Sequence, residues 1–148
     1  MNAVRLAVGT LTVFPVRAPS VDRRTAGLAM ALAPLVGLAL GIVVLVVIVL
    51  VGDLVPPLLA AVLVVGLLAL LTRGMHLDGL ADTADGLGSG RPPPEALDVM
   101  RRGDVGPFGV VTLVLVLLAQ VVAIAAMLLT PDGPVGVAAA IVVSRLAL

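Results

Sequence analysis

The sequence has 148 residues, of which 61% are hydrophobic and 12% are charged, against about 25% charged residues in a typical soluble domain. This composition excludes a disordered chain, a coiled coil and an ordinary soluble globular domain, and it indicates a membrane-embedded protein. The nine basic residues are all arginine and balance nine acidic residues, so no basic excess is present to bind nucleic acid. The absence of cysteine excludes disulfide scaffolds and thiolate metal sites.

The first apolar run, residues 6–16, is too short to span a bilayer and contains Pro15. A signal peptide is one interpretation, but arginines follow the run at once and no small-residue cleavage site precedes them. We therefore predict an interfacial or re-entrant segment at this position.

Long uncharged runs follow three of the charged residues. Runs of 28, 19 and 27 residues without a charge come after Arg24, Asp53 and Asp104. Because a helix needs roughly 20 residues to cross a bilayer core, each run fits one spanning helix. We predict an all-α fold, a polytopic transmembrane helical bundle that forms a single membrane-embedded domain over residues 1–148. Its predicted transmembrane helices are residues 28–51, 54–72 and 109–130, with a partial helix at residues 135–148.

The arginines predict how the bundle is oriented. Four arginines precede the first span and four lie between the second and third spans, whereas the connections around Asp53 and Asp132 contain none. Positively charged residues concentrate on the cytoplasmic side of membrane proteins. We therefore expect the N-terminus and residues 73–108 to face the cytoplasm.

The polar residues 73–108 are predicted to form a cytoplasmic Asp/Gly-rich catalytic loop. Asp78, Asp82 and Asp85 are spaced i, i+4 and i+7, so on a helix they lie within about 60° of one another. Like charges on one stripe repel, and a divalent cation would neutralise them. Oxygen ligands favour Mg²⁺, Mn²⁺ or Ca²⁺, and Mg²⁺ binds one or two carboxylates together with substrate phosphates. A solvated acidic face is the alternative interpretation.

Several neighbours of this acidic stripe are further candidates. The only histidine, His76, is a candidate general base or phosphate ligand, with a structural role as the alternative. Glycines among the acids, including Gly79 and Gly86, would let a ligand approach the backbone, although a flexible loop explains them equally well.

A short helix that starts with prolines is predicted over residues 92–102. Arg101 and Arg102 end it, where they suit either an anion clamp or the negative end of the helix dipole. Asp104 follows as a candidate carboxylate for a metal or a base.

At these residues the sequence resembles the cobalamin synthase family, the adenosylcobinamide-GDP ribazoletransferases. The resemblance is carried by Gly74-Met-His-Leu-Asp-Gly-Leu-Ala-Asp-Thr-Ala-Asp-Gly86, followed by Gly90-Arg91 and Gly106-Pro-Phe-Gly109, and it extends over nearly all of the chain. It implies a multi-pass enzyme of the bacterial or archaeal inner membrane that acts in the last steps of cobalamin biosynthesis. The hydroxyl of α-ribazole, or of its 5′-phosphate, attacks the phosphorus of adenosylcobinamide-GDP, and GMP leaves.

The resemblance also implies roles for individual residues. Asp78, Asp82 and Asp85 would hold Mg²⁺ on the diphosphate, and Asp82 or His76 would take the attacking proton. The candidate substrate contacts are Arg91, Arg101, Arg102, Asp104, Gly79 and Gly86. The implied partners are the two substrates and the lipid bilayer, with no nucleic acid, and homo-oligomer formation stays open. Because the family continues well past residue 148, the resemblance implies an N-terminal fragment that is inactive alone.

Two other functions stay open. Asp82-x-x-Asp85-Gly86 matches the opening of the acidic motif of the CDP-alcohol phosphatidyltransferases, but Ser89-Gly90-Arg91 stands where that family has Ala-Arg. The second alternative is a transporter or a non-enzymatic membrane scaffold in which the acids form an ion path. Transport carboxylates normally lie at bilayer depth, whereas these lie outside the uncharged runs.

Overall fold

The computed structural model describes residues 2–16 and 21–147, and every regular element in these ranges is helical. The helices are α1 (Asn2–Leu11), α2 (Arg23–Ala31), α3 (Ala33–Val51), α4 (Pro57–Leu71), α5 (Met75–Gly88), α6 (Pro93–Met100), α7 (Pro107–Met127) and α8 (Gly133–Ser144), followed by a 3₁₀ turn (Arg145–Ala147). The all-α prediction is confirmed.

Prolines mark the start of most of the apolar helices. Helices α3, α4 and α8 carry a proline in their first two positions, and α7 begins at Pro107. The first N–H groups of a helix have no intrahelical acceptor, so a proline there removes no hydrogen bond. In the predicted span 28–51, Pro34 cannot donate to the Met30 carbonyl, and the helix breaks at Leu32 into α2 and α3.

Two helical stretches among the described residues are long and apolar enough to cross a membrane: Arg23–Val51 and Pro107–Met127. Counting α4 and α5 together as one broken span raises this number to three. Helix α8 is apolar but has only 12 residues. The helices therefore occupy the predicted apolar runs, with ends that differ from the predicted bounds by a few residues.

The predicted interfacial segment 6–16 is helical only in its first half. Helix α1 begins earlier, at Asn2, and ends at Leu11. Pro15 disfavours helical backbone in the residue before it, which explains why the helix does not continue. The residues after the helix instead contact the end of α4, because the Val13 N–H donates to the Leu71 carbonyl over 2.6 Å. Arg17, which contributed to the orientation argument, lies outside the described residues.

The chain divides into two compact units, residues 1–73 with 121–148 and residues 74–120. In the first unit, α3 packs against α8, and the core is formed by Val36, Leu40, Val44, Ile48, Val137 and Ile141 together with residues of α1, α2 and α4. A side chain on Gly41 would lie 2.9 Å from the Ala138 carbonyl oxygen. The Gly37-x-x-x-Gly41 spacing therefore lets α3 and α8 approach closely within this chain.

The second unit contains α5, α6 and most of α7, so the segment predicted as a catalytic loop is mostly helical. Left-handed backbone at Arg73 and Gly74, with φ of 55° and 65°, separates α4 from α5. Gly90, with φ of 64°, is also left-handed and follows the end of α5. Glycine adopts this conformation without the steric cost that a Cβ would bring.

Candidate active site

Helix α5 carries the three aspartates on one side, as their spacing predicts, because residues 75–88 form one continuous helix. Their surroundings differ along the helix. Asp78 is exposed, Asp82 is half-buried and Asp85 is buried, with 6% of its surface exposed. The stripe is therefore accessible at its start and covered at its end.

The Asp85 carboxylate is bonded to the backbone at the start of α7. One oxygen, Oδ2, accepts the Gly106 N–H over 2.7 Å, and the other, Oδ1, accepts the Gly109 N–H over 2.9 Å. A carboxylate at this position satisfies N–H groups that lack an intrahelical acceptor and lies at the positive end of the helix dipole. Removing a side-chain cap of this kind typically costs about 0.5–2 kcal/mol of stability.

The carboxylates of the three aspartates are not gathered into one group in the structure. Within the described ranges, no group of three or more His, Cys, Asp or Glu side chains is placed to hold a metal ion. The physical reason is that Asp85 turns both oxygens towards α7. The role of Asp85 as a third metal ligand stays a prediction, and the two hydrogen bonds that its carboxylate accepts from α7 do not support it.

Asp78 and Asp82 remain available as a pair. Neither carboxylate accepts a hydrogen bond or pairs with a cation in the part of the chain that the structure describes. Two carboxylates one helical turn apart are a donor set that fits Mg²⁺, since this ion completes its coordination with water and substrate phosphates.

The two candidate glycines of α5 have different surroundings. Gly79 is exposed, and a Cβ there would meet no atom within 4 Å, so the space beside it is open; its carbonyl accepts the Thr83 hydroxyl over 2.6 Å. Gly86 is buried, and a Cβ there would lie 2.5 Å from Met100 Cγ. The role that the structure gives Gly86 is close packing of α5 against α6, which differs from the predicted substrate contact.

A cavity of about 270 Å³ lies in the second unit beside Asp85. Its charged lining consists of Asp85, Arg91, Arg102 and Asp104. Arg91 also pairs with Glu95 at 3.9 Å, in an exposed salt bridge of a kind that typically contributes about 0–1 kcal/mol. The structure thus brings together three of the predicted substrate contacts, Arg91, Arg102 and Asp104.

The other predicted residues lie outside this cavity. Arg101 is exposed, as are His76 and Gly79, and none of the three lines the cavity. Asp78 and Asp82 do not line it either. The candidate site therefore has two parts within one unit: the Asp78–Asp82 pair on α5 and the cavity with its two arginines.

Sequence reasoning missed two features of the cavity. Ser89 lines it, and its hydroxyl donates to the Gly86 carbonyl over 2.7 Å and accepts the Arg91 N–H over 3.3 Å. Phe108 lines it as well and packs against Gly88. The sequence did contain a signal for the role of Asp85 at α7. Gly106, which precedes Pro107, has no side chain that could cap this helix, so the cap had to come from elsewhere in the chain.

The fold and the site together define an all-helical protein of the membrane type with a charged cavity in its second unit. Residues 3–148 match the family model described as cobalamin-5-phosphate synthase. The chain belongs to that family, and the resemblance that the sequence motifs indicated is confirmed.

Curated relatives carry the same kind of name. The chain is 47% identical over 150 residues to the adenosylcobinamide-GDP ribazoletransferase of Nocardioides sp., covering 99% of this chain and 64% of the relative. It is 44% identical over 157 residues to the enzyme of that name from Frankia casuarinae, covering 99% of this chain and 56% of the relative. The chain therefore spans between about half and two-thirds of the length of these relatives. No solved structure matches the chain significantly.

Proposed function

We propose that the protein is a transferase that joins adenosylcobinamide-GDP to α-ribazole, or to α-ribazole 5′-phosphate, and releases GMP. The observation that carries this proposal is the similarity to relatives named adenosylcobinamide-GDP ribazoletransferase, which includes the whole acidic segment of α5. The product is adenosylcobalamin or its 5′-phosphate, so the reaction belongs to the last steps of cobalamin biosynthesis.

The reaction is a displacement at phosphorus. The ribazole hydroxyl oxygen forms a bond to the phosphorus next to the cobinamide, and the bond from that phosphorus to the bridging oxygen breaks. GMP leaves with the electron pair, and the hydroxyl proton passes to a base. Asp82 is our first candidate for that base and His76 the second, because carboxylates and imidazoles both act as general bases.

The arginines of the cavity are suited to the diphosphate. Guanidinium groups bind phosphate oxygens through paired, charge-assisted hydrogen bonds. Arg91 and Arg102 line one cavity, so we propose that they hold the diphosphate and stabilise its charge as the bridging bond breaks. Arg101, which does not line the cavity, is not needed for this role.

Mg²⁺ is the cofactor that we propose, with Asp78 and Asp82 as the residues that would hold it. When bound, the ion neutralises charge on the phosphate oxygens. The half-buried position of Asp82 suits a residue that is screened from bulk water. We further propose that the N-terminus and residues 73–108 face the cytoplasm, on the evidence of the arginine distribution.

The test is GMP release by the full-length protein in vesicles that are supplied with adenosylcobinamide-GDP and α-ribazole. We expect release only when Mg²⁺ is present, and we expect Asp82→Asn to lower the rate by about 100-fold or more, because a general base or metal ligand is lost. Asp53→Asn is the matched control, since Asp53 is exposed in the connection between α3 and α4, far along the chain from the site.

Three results would contradict the proposal. The absence of GMP release by the wild-type protein would reject the transferase function. Release of CMP from a CDP-alcohol would favour a phosphatidyltransferase instead. Wild-type turnover by Asp82→Asn would leave the acidic stripe as a solvated face.

A further inference from the structure

The first turn of α7 receives its cap from another helix. Gly106, which precedes the helix, has no side chain, and Pro107 has no N–H. The N–H groups of Gly106 and Gly109 both donate to the Asp85 carboxylate of α5. A side chain 21 residues earlier in the sequence than Gly106 therefore does what an Asp or Ser immediately before the helix normally does.

Both glycines are needed for space. Neither has a positive φ, so backbone conformation alone does not require glycine there. A Cβ on Gly106 would lie 2.5 Å from Asp85 Oδ1. A Cβ on Gly109 would overlap Asp85 Oδ2 and lie 3.0 Å from the Ala81 carbonyl oxygen. The start of α7 thus lies so close to the Asp85 side chain and, at Gly109, to the Ala81 carbonyl that neither glycine has room for a side chain.

This contact fixes one end of a short connection that lines the cavity. Arg102 and Asp104 lie in the connection between α6 and α7, and both are exposed. The connection is held at one end by α6 and at the other by the hydrogen bonds to Asp85. Gly103 between them has a φ of 69°, so the chain turns sharply at the point that separates the two side chains.

We propose that Asp85, Gly106 and Gly109 form a clamp between α5 and α7 that positions Arg102 and Asp104 at the cavity. Asp85 acts in it as a positioning residue through the backbone of α7, and the divalent cation is held without it. The inference rests on the proposed function for its substrate, a nucleoside diphosphate ester. It gives Asp85, Gly106 and Gly109, which all belong to the segments that carry the family resemblance, the common role of holding the start of α7 against α5.

The first test is kinetic and uses the full-length protein. In Gly109→Ala the added Cβ pushes α7 away from Asp85, and in Asp85→Asn the side-chain amide retains only one acceptor oxygen for two N–H donors. We expect both variants to raise KM for adenosylcobinamide-GDP by roughly tenfold and to lower kcat, with the Mg²⁺ concentration dependence unchanged, because Arg102 is displaced while the Asp78–Asp82 pair is intact. Gly66→Ala is the matched control, since a Cβ at Gly66 meets no atom within 4 Å.

A purely structural role would give a different result. It would lower the yield of folded protein, and the remaining protein would keep the wild-type KM. Wild-type KM in Gly109→Ala would therefore overturn the clamp as a positioning device.

The second test does not depend on turnover. Amide hydrogen exchange over residues 103–110 and Mn²⁺ binding are measured on the same full-length variants. We expect Asp85→Asn to exchange faster in this segment and to bind Mn²⁺ as the wild type does. We expect Asp82→Asn to exchange at the wild-type rate and to lose Mn²⁺ binding. Loss of Mn²⁺ binding in Asp85→Asn would overturn the proposal and make Asp85 a metal ligand. If the wild type releases no GMP, the proposed function fails, while the exchange and Mn²⁺ measurements still decide the clamp.

Discussion

Asp22 caps the start of α2 and illustrates how a single carboxylate stabilises the start of a helix here. Hydrogen bonds from Thr25, from its side chain and from its backbone N–H, hold the pKa of Asp22 below its ordinary value. A lowered pKa in the folded state means that the charged form stabilises the fold. This contribution is present above the unfolded pKa and is lost as the pH falls through the folded pKa.

We therefore expect the Thr25 amide to lose its protection from exchange as Asp22 is protonated at acidic pH. The measurement is amide exchange at Thr25 together with the carboxyl carbon shift of Asp22 across the titration. Asp22→Asn is the control, because asparagine caps a helix about as well as aspartate but does not titrate. The same pH dependence in Asp22→Asn would show that another group causes it.

The aspartates of α5 show which part of the site can be predicted from sequence. Their common side of the helix follows from spacing alone, since helical periodicity is a local property. Their unequal burial does not follow from spacing, because it depends on what packs against each one. Asp85 is covered by Gly106 and Gly109, which are 21 and 24 residues away in sequence. A local pattern contains no information about that contact.

Helices α3 and α8 pack through glycine, and the two glycines of α3 have different neighbours. A Cβ on Gly41 would meet the carbonyl oxygen of Ala138 at 2.9 Å, whereas a Cβ on Gly37 would first meet the Arg145 side chain, at 2.9 Å from its Cγ. The Ala138 carbonyl is backbone and cannot rotate away, whereas Arg145 Cγ can. The fixed neighbours of a Cβ on Gly37, Arg145 Cβ and Val142 Cα, lie farther off, at 3.2 and 3.3 Å. The same substitution should therefore cost more at Gly41 than at Gly37.

We predict that Gly41→Ala destabilises the protein by about 1–3 kcal/mol, the usual cost of overfilling a packed contact. Gly37→Ala should cost less, and Gly66→Ala in α4 should cost nothing or stabilise slightly, because alanine is the better helix former where space is open. Unfolding in detergent, followed by circular dichroism, ranks the three variants. Equal stability of Gly41→Ala and Gly66→Ala would contradict the close approach of α3 and α8.

The positions of the apolar helices were easier to predict than the breaks between them and the contacts that they make. Uncharged runs and prolines identify where apolar helices form, since both act through local chemistry. The early start of α1 at Asn2 was not predicted. The hydrogen bond between Val13 and Leu71 was not predicted either, because it joins residues 58 positions apart in sequence. The cavity was missed for the same reason: its lining comes from the end of α5, from α6, from the start of α7 and from the connections between these helices.

The arginines are distributed unevenly over the whole chain, and this distribution makes the membrane orientation testable. Eight arginines belong to the N-terminal segment and to the polar segment between the second and third apolar runs, and the connection at Asp53 has none. Positively charged connections stay in the cytoplasm because they are translocated poorly. Since the chain has no cysteine, single cysteines report each side without background labelling.

We expect a Ser89→Cys variant of the full-length protein to react with a membrane-impermeant maleimide only after cells are permeabilised, and an Asp53→Cys variant to react in intact cells. Ser89 follows α5 in the polar unit, and Asp53 lies between α3 and α4, so the two positions are separated by one apolar run. An odd number of crossings between them gives labelling from opposite sides. Labelling of both variants from the same side would mean that α4 does not cross the bilayer, and labelling of Ser89→Cys in intact cells would place the arginine-lined cavity outside.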